Sequence, residues 1–396
     1  MKFQKKILDN GLTVLFEKRD VPVTTVMLGT KFGAAYENEK EKGIAHFLEH
    51  LAFKGTKNRT AEEISRAIEK VGGDFNAFTS EEKTFYHVKL PSKHIELAMD
   101  VLFDIFFNPL HDSEEIKKEC NVIIEEIKMY RDNPRAYCME KLKSCLYKAP
   151  FGMFIAGTEE NIKNMTREQL VEKYREMYFP KNAILSVVGN NDFSEIIGLA
   201  EKLCKNIQGK EPEIKEIEFQ NLQIKENRDN LQQANVCIGF HFPKANDEKR
   251  YAADVFTAIF GQGMSSKLFT EVREKRGLAY AVKSDIDDGK EYSYLFIYIG
   301  TEKEKVDEVI KICIEEFRKM ANITEKELED GKRQLIGNFE INSEASENTA
   351  MSLIDEEISG KAEDYYEYEK RINEVTLKDI KELSEIKDYA YFALLP

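Results

Sequence analysis

A chain of 396 residues, 42% apolar and 33% charged, is long enough for two or three domains and apolar enough to give each a core. Its 58 basic and 72 acidic residues leave a net charge of −14, which argues against a general phosphate-backbone binder because such a protein needs basic surface. Six scattered cysteines without a C-x-x-C pair exclude a disulfide scaffold and point to a reduced, cytoplasmic setting.

The opening stretch, MKFQKKILDNGLTVLFEKRD, carries charges where a signal peptide would be apolar. Strand patterns cover 6–16, interrupted by the hairpin signal Asn10-Gly11, and then 24–32. From Gly43 the period changes to helical, with Ile44, Phe47, Leu48 and Leu51 on one face. A second helix is predicted over 60–71, with Thr60 as N-cap and Gly72-Gly73 as the stop. Strand pattern returns over 75–90, and amphipathic helices follow over 92–107 and 113–130. No uncharged apolar run approaches the roughly 18 residues of a membrane helix. The polar stretch 209–218, with Pro212, marks a linker, taken as 209–222.

The second half repeats the order of the first. VMLGTKFGAAYENEKEKG from Val26 aligns with VCIGFHFPKANDEKRYAA from Val236, an offset of 210. HIELAMDVLFDIFF from His94 matches KVDEVIKICIEEF from Lys305 at 211, and 115–128 matches 327–340 at 212. Three matches in one order imply an internal duplication. Clustered strands with hairpin signals predict an α+β class: two duplicated domains, 1–208 and 223–396, each a mainly antiparallel sheet with helices packed on one face.

Gly43-Ile-Ala-His46-Phe-Leu-Glu49-His50 carries the sharpest chemistry. Residues four apart on a helix project one turn apart on one face, so His46 and His50 can bind one ion at about 2.0–2.1 Å each. Glu49 borders that face and can move a proton between a water activated by such an ion and a leaving group. The pattern is H-x-x-E-H, inverted relative to thermolysin-type H-E-x-x-H. A single histidine on an apolar helix is usually a core residue, but two of only six fall here, four apart around a glutamate. A catalytic zinc needs a third protein ligand and an open position. In 113–130, Ile116, Cys120, Ile123 and Ile127 form an apolar stripe, and Glu125 points away from it. Glu119 and Glu126, seven apart, both flank the stripe; helix geometry does not choose between them.

GIAHFLEHLAFKGT, then GGDFNAFTS from Gly72, then ECNVIIEEI from Glu119 resemble the pitrilysin/insulinase-type zinc peptidases, the inverzincins, and most nearly the mitochondrial processing peptidase branch and its bacterial relatives. The resemblance covers nearly the whole chain. It implies one zinc ion per chain on His46, His50 and Glu126, with Glu49 as general base and Glu119 orienting a ligand histidine. It also implies that the edge strand at Asn76-Ala77 holds peptide by strand addition and that Phe53 lines a side-chain pocket. GMSSKLFTEVREKRGLAYAV resembles the family's arginine–tyrosine segment, which makes Arg273 and Tyr280 donors to the scissile carbonyl. Without the resemblance, Phe53 and Tyr280 would pass as core aromatics, Asn76 as an edge residue and Arg273 as a surface charge.

Shifted by 210 and 212, His46 and Glu126 fall on Phe256 and Asn338, so the second half has no counterpart of the ligand set. The expectation is a zinc metalloendopeptidase with a catalytic domain over 1–208, a linker over 209–222 and a homologous non-catalytic domain over 223–396. Four-domain relatives close around peptide as a clamshell, so this chain corresponds to half of one. A homodimer, or alternatively a heterodimer with a paralogous subunit, would complete a chamber for unfolded peptides, with neither nucleic acid nor membrane as partner. The rival reading is a non-catalytic scaffold or core-type subunit of the same fold.

Overall fold

Six strands near and after the N-terminus pair into one sheet: β1 (Phe3–Ile7), β2 (Thr13–Lys18), β3 (Val23–Thr30), β4 (Asp74–Thr79), β5 (Thr84–Pro91) and β6 (Ala183–Gly189). Their order is β1-β2-β6-β3-β5-β4, and the β2–β6 pair alone runs parallel. The computed structural model describes residues 3–214 and 216–396. Five later strands form a second sheet: β7 (Gln223–Asn227), β8 (Ala234–His241), β9 (Ala279–Asp288), β10 (Ser293–Thr301) and β11 (Ala390–Leu395), in the order β7-β11-β8-β10-β9. Setting β2 to β6 against β7 to β11 makes the two orders identical, including the one parallel pair, so the duplication extends to topology.

Period-two alternation gives each sheet two faces. In the first sheet Val26, Leu28, Tyr86, Val88, Leu185 and Val187 face the main core. Helices α1 (Ile44–Ala52), α2 (Ala61–Glu69), α3 (Ile95–Phe107) and α4 (Ser113–Asp132) cover that side. Thr60 caps α2 reciprocally with Glu63, as its T-x-x-E spacing suggests. On α4 the buried stripe is Ile116, Ile123, Ile124 and Ile127; Cys120 lies at its margin, and Glu125 is solvated beside Lys128.

The opposite face of each sheet is covered by a helix from the other half of the chain. Met27, Phe85, Ile184 and Val188 are fully buried on the back of the first sheet, although none belongs to the main core. The helix Ser346–Ser359 lies there: its Ser346 hydroxyl meets Thr25 Oγ1 at 2.8 Å, and Ser186 donates to Ala350 O at 3.1 Å. In the second sheet the helix α5 (Pro134–Leu146) takes this place. Cys138 donates to the Asn235 and Phe392 carbonyls, and any side chain at Gly239 would press on Leu146.

The compact units are therefore discontinuous in sequence. One joins residues up to Lys128 with Phe154–Glu216 and Asn342–Ala362; the other joins Met129–Met153, Ile217–Ile341 and Glu363–Pro396. This departs from the contiguous 1–208 and 223–396 expected above. An amphipathic pattern announces that a helix has a face to bury, not which sheet buries it. The break at Glu216/Ile217 falls inside the predicted linker 209–222. Residues 218–222 of that stretch hydrogen-bond the C-terminal end of α5 and the residues just after it.

Candidate metal centre

Helix α1 begins at Gly43, whose φ of +100° and close approach to the Ala156 carbonyl exclude a side chain and with it a local cap. The cap comes from Glu37, six residues upstream. Its carboxylate accepts from Gly43 N (3.0 Å) and Ala45 N (2.8 Å), satisfying donors that a helix start leaves open. Lys42 Nζ sits 3.7 Å from Glu37 and donates to Ala34 O at 2.8 Å; both charged side chains are fully buried. Burial pushes the Glu37 carboxyl up to about 7, against the pull of Lys42 and the two N–H groups.

The apolar face of α1 enters the core through Ile44, Phe47, Leu48 and Leu51, which turns His46, Glu49 and His50 the other way. The two imidazole centroids are 4.6 Å apart. Glu126 Oε2 of α4 lies 3.7 Å from His46 Nε2 and 3.4 Å from His50 Nε2. One ligand atom from each of the three residues falls within 4.8 Å of the others. Tetrahedral zinc with bonds near 2.1 Å holds its ligands about 3.4 Å apart, so this donor set fits zinc in both chemistry and spacing. His46 Nδ1 is buried and has no hydrogen-bond partner among the described residues.

Glu119, about two turns before Glu126, is committed elsewhere. Its Oε2 accepts from His50 Nδ1 at 3.1 Å and its Oε1 from Lys54 Nζ at 2.8 Å. It thus grips His50 from behind and fixes which nitrogen faces Glu126. Burial and the neighbouring His50 lower the His46 pKa to about 4, so that its imidazole is neutral. Burial opposes a charge on His50 too, but hydrogen bonds to Glu119 and Glu126 outweigh it and raise the pKa to about 9. A cation held here would take the place of that proton. Burial raises the Glu49 carboxyl, opposed by a hydrogen bond from Thr79 Oγ1 at 2.5 Å.

The remaining sequence-derived residues divide between the units. Phe53 ends α1, half-buried against Phe75 (4.9 Å) and Tyr86 (6.0 Å). Asn76 and Ala77 lie on the sheet-edge strand β4, with Asn76 exposed and its Oδ1 accepting from Ala77 N at 2.9 Å. In the other unit Arg273 sits in a π-helical turn, Phe269–Glu274. Its guanidinium stacks on the Phe269 ring (4.8 Å) and the Tyr280 ring (5.1 Å), and it has no carboxylate partner among the described residues. Tyr280 is 82% exposed. Sequence reasoning passed over Glu37, Lys42, Lys54 and Thr79. Thr79 had a faint signal, two residues beyond Ala77 on the same strand row; Glu37 had none.

Residues 13–159 match the model of the insulinase family, peptidase family M16, and residues 164–335 match that of the M16 inactive domain. A Rickettsia felis protein named "uncharacterized zinc protease" is 38% identical over 84% of this chain and 82% of its own length. The Bacillus subtilis zinc protease YmxG is 33% identical over 98% of this chain and 97% of its own. Among solved structures, a protease from Helicobacter pylori superposes with a TM-score of 0.92 at 24% identity, over 100% of this chain and 99% of that one. An M16-like peptidase from Alicyclobacillus acidocaldarius gives 0.86 at 21%, over 100% and 99%. A two-sheet duplicated fold, an H-x-x-E-H helix facing a carboxylate helix, and relatives spanning nearly the whole chain lead to one conclusion: the chain belongs to the insulinase family, peptidase family M16.

Proposed function

We propose that the protein is a zinc-dependent endopeptidase acting on unfolded peptides, with one ion per chain. The observation that carries this reading is the convergence of His46, His50 and Glu126, with Glu49 one residue before His50 and Glu119 behind that ring. His46, His50 and Glu126 would hold the ion. When bound, zinc supplies a Lewis acid that polarises a carbonyl and acidifies water.

The rest belongs to the chain. Glu49, its carboxyl raised by burial, takes a proton from the attacking water and returns it to the leaving amine. Glu119 keeps His50 oriented, and Lys54 keeps Glu119 in place. Edge strand β4 offers peptide an open row at Asn76-Ala77, and Phe53 lines the adjoining pocket. Arg273, which has no carboxylate partner among the described residues, and the exposed Tyr280 would donate to the scissile carbonyl oxygen as charge builds there. The second half keeps the topology without the ligands, which fits a supporting, non-catalytic role.

Longer relatives enclose peptide between four such domains, so two copies of this chain, or this chain and a paralogous subunit, would form the chamber. The free state of all six cysteines accords with a cytoplasmic enzyme. Among the described residues no helix is long and apolar enough to cross a membrane.

A second reading, a non-catalytic scaffold subunit, draws support from the inactive-domain match over 164–335. Zinc analysis and cleavage of a quenched peptide library by wild type and Glu49→Gln separate the two. The expected result is zinc in both proteins, with turnover about 10²- to 10⁴-fold lower in the variant. Equal, negligible turnover by both zinc-loaded proteins would favour the scaffold.

A further inference from the structure

The alternation of β4 turns Phe75 and Ala77 toward the core and Asn76 away from it. The same period places Thr79, the last residue of the strand, on the core-facing row against which α1 packs. There its hydroxyl donates to Glu49 Oε2 at 2.5 Å, the short range of a charge-assisted bond. Thr79 Oγ1 also lies 3.3 Å from the hydroxyl of Thr84, its cross-strand partner. A threonine has one hydroxyl proton. Thr84 commits its own to Phe32 O at 2.9 Å, and Thr79 commits its own to Glu49. Neither proton is left for the 3.3 Å contact between the two hydroxyls, and Thr79 is a dedicated donor to the glutamate.

A glutamate side chain turns about three bonds, whereas a β-branched threonine on a paired strand is stiff at χ1. We infer that Thr79 is a positioning residue: it holds the Glu49 carboxylate in one rotamer and ties it to the edge strand. Resting on the peptidase reading, this makes one strand set both the register of the added peptide and the place of the base. Substrate seating and base alignment are then coupled through a single side chain, with no lid required.

The test compares zinc-loaded wild type, Thr79→Val, which matches the shape without the donor, Thr79→Ser, which keeps the donor, and Glu49→Gln. With a quenched peptide, Thr79→Val is expected to lose about 10- to 100-fold in kcat with KM within about twofold, and Thr79→Ser to recover to within about threefold of wild type. Zinc content and melting temperature should match across the set. A Thr79→Val enzyme keeping more than half of kcat, or a Thr79→Ser enzyme as impaired as Thr79→Val, would overturn the inference. If wild type turns over no faster than Glu49→Gln, the peptidase reading fails instead. Crystal structures of the zinc-loaded proteins decide the positioning role in either event. Glu49 should occupy one rotamer in wild type and several in Thr79→Val; an unchanged single rotamer in the variant refutes it.

Discussion

Glu119 and Glu126 are chemically identical and stand two helical turns apart on one line of α4, so nothing local tells them apart. Their partners do. Both oxygens of Glu119 are occupied, by His50 Nδ1 and by Lys54, whereas Glu126 faces the Nε2 atoms of both histidines. Glu119→Ala is therefore expected to weaken zinc binding by about 10- to 100-fold without removing it, measured by competition with a chromophoric chelator. Unchanged affinity would show that His50 needs no orienting partner. A second residue far from the centre makes a pH prediction. Asp254 is half-buried; desolvation and the like charges of Asp288 and Asp285 bring its carboxyl up to about 7, against the opposing pull of Arg250 and of the hydrogen bond it accepts from the Tyr368 hydroxyl at 3.1 Å. Because the folded value exceeds the unfolded one, the folded state keeps the proton longer. Its contribution is complete in acid and is lost as pH rises to about 7. Asp254→Asn should thus be more stable than wild type at pH 8, by roughly 1–3 kcal/mol, with the advantage shrinking toward pH 5. Melting curves at the two pH values check it, and a gap that does not change with pH contradicts it.

At the scale of elements, the two helices that follow β3 differ in how openly the sequence announces them. The start of α2 is written in its own turn, because Thr60 and Glu63 cap each other across three residues. The start of α1 is not, since its cap is a carboxylate carried on a preceding loop and buried with Lys42. H-x-x-E-H spacing could be read directly, but the device that anchors its first turn depends on a chain reversal that no helical period encodes. Glu37→Ala removes a carboxylate from beside the buried Lys42 and leaves two N–H groups open, at an expected cost of about 3–5 kcal/mol. Glu37→Gln combined with Lys42→Met should recover much of it. The midpoint of denaturant unfolding reads both; a Glu37→Ala protein as stable as wild type would dismiss the cap.

For the whole molecule, the exchange of covering helices makes the two sequence halves interdependent. Residues 1–208 alone lack the helix Ser346–Ser359 and would bare Met27, Phe85, Ile184 and Val188, each worth roughly 1.5–3 kcal/mol of burial. Residues 223–396 alone lack α5, which covers Gly239 and Phe392. Each half expressed by itself is expected to aggregate, and co-expression to yield a soluble pair on size exclusion. A soluble, monomeric 1–208 fragment with native circular dichroism would contradict this. Repetition, the strand and helix periods and the H-x-x-E-H spacing are properties of neighbouring residues, and the sequence by itself determined them. The choice between Glu119 and Glu126, open to helix geometry and implied only by the family resemblance, took its physical form in the tertiary structure, which alone decided where the base finds its hydroxyl and which half supplies the second cover of each sheet. Those outcomes rest on contacts between residues tens to hundreds of positions apart, where local periodicity carries no information about which surfaces meet.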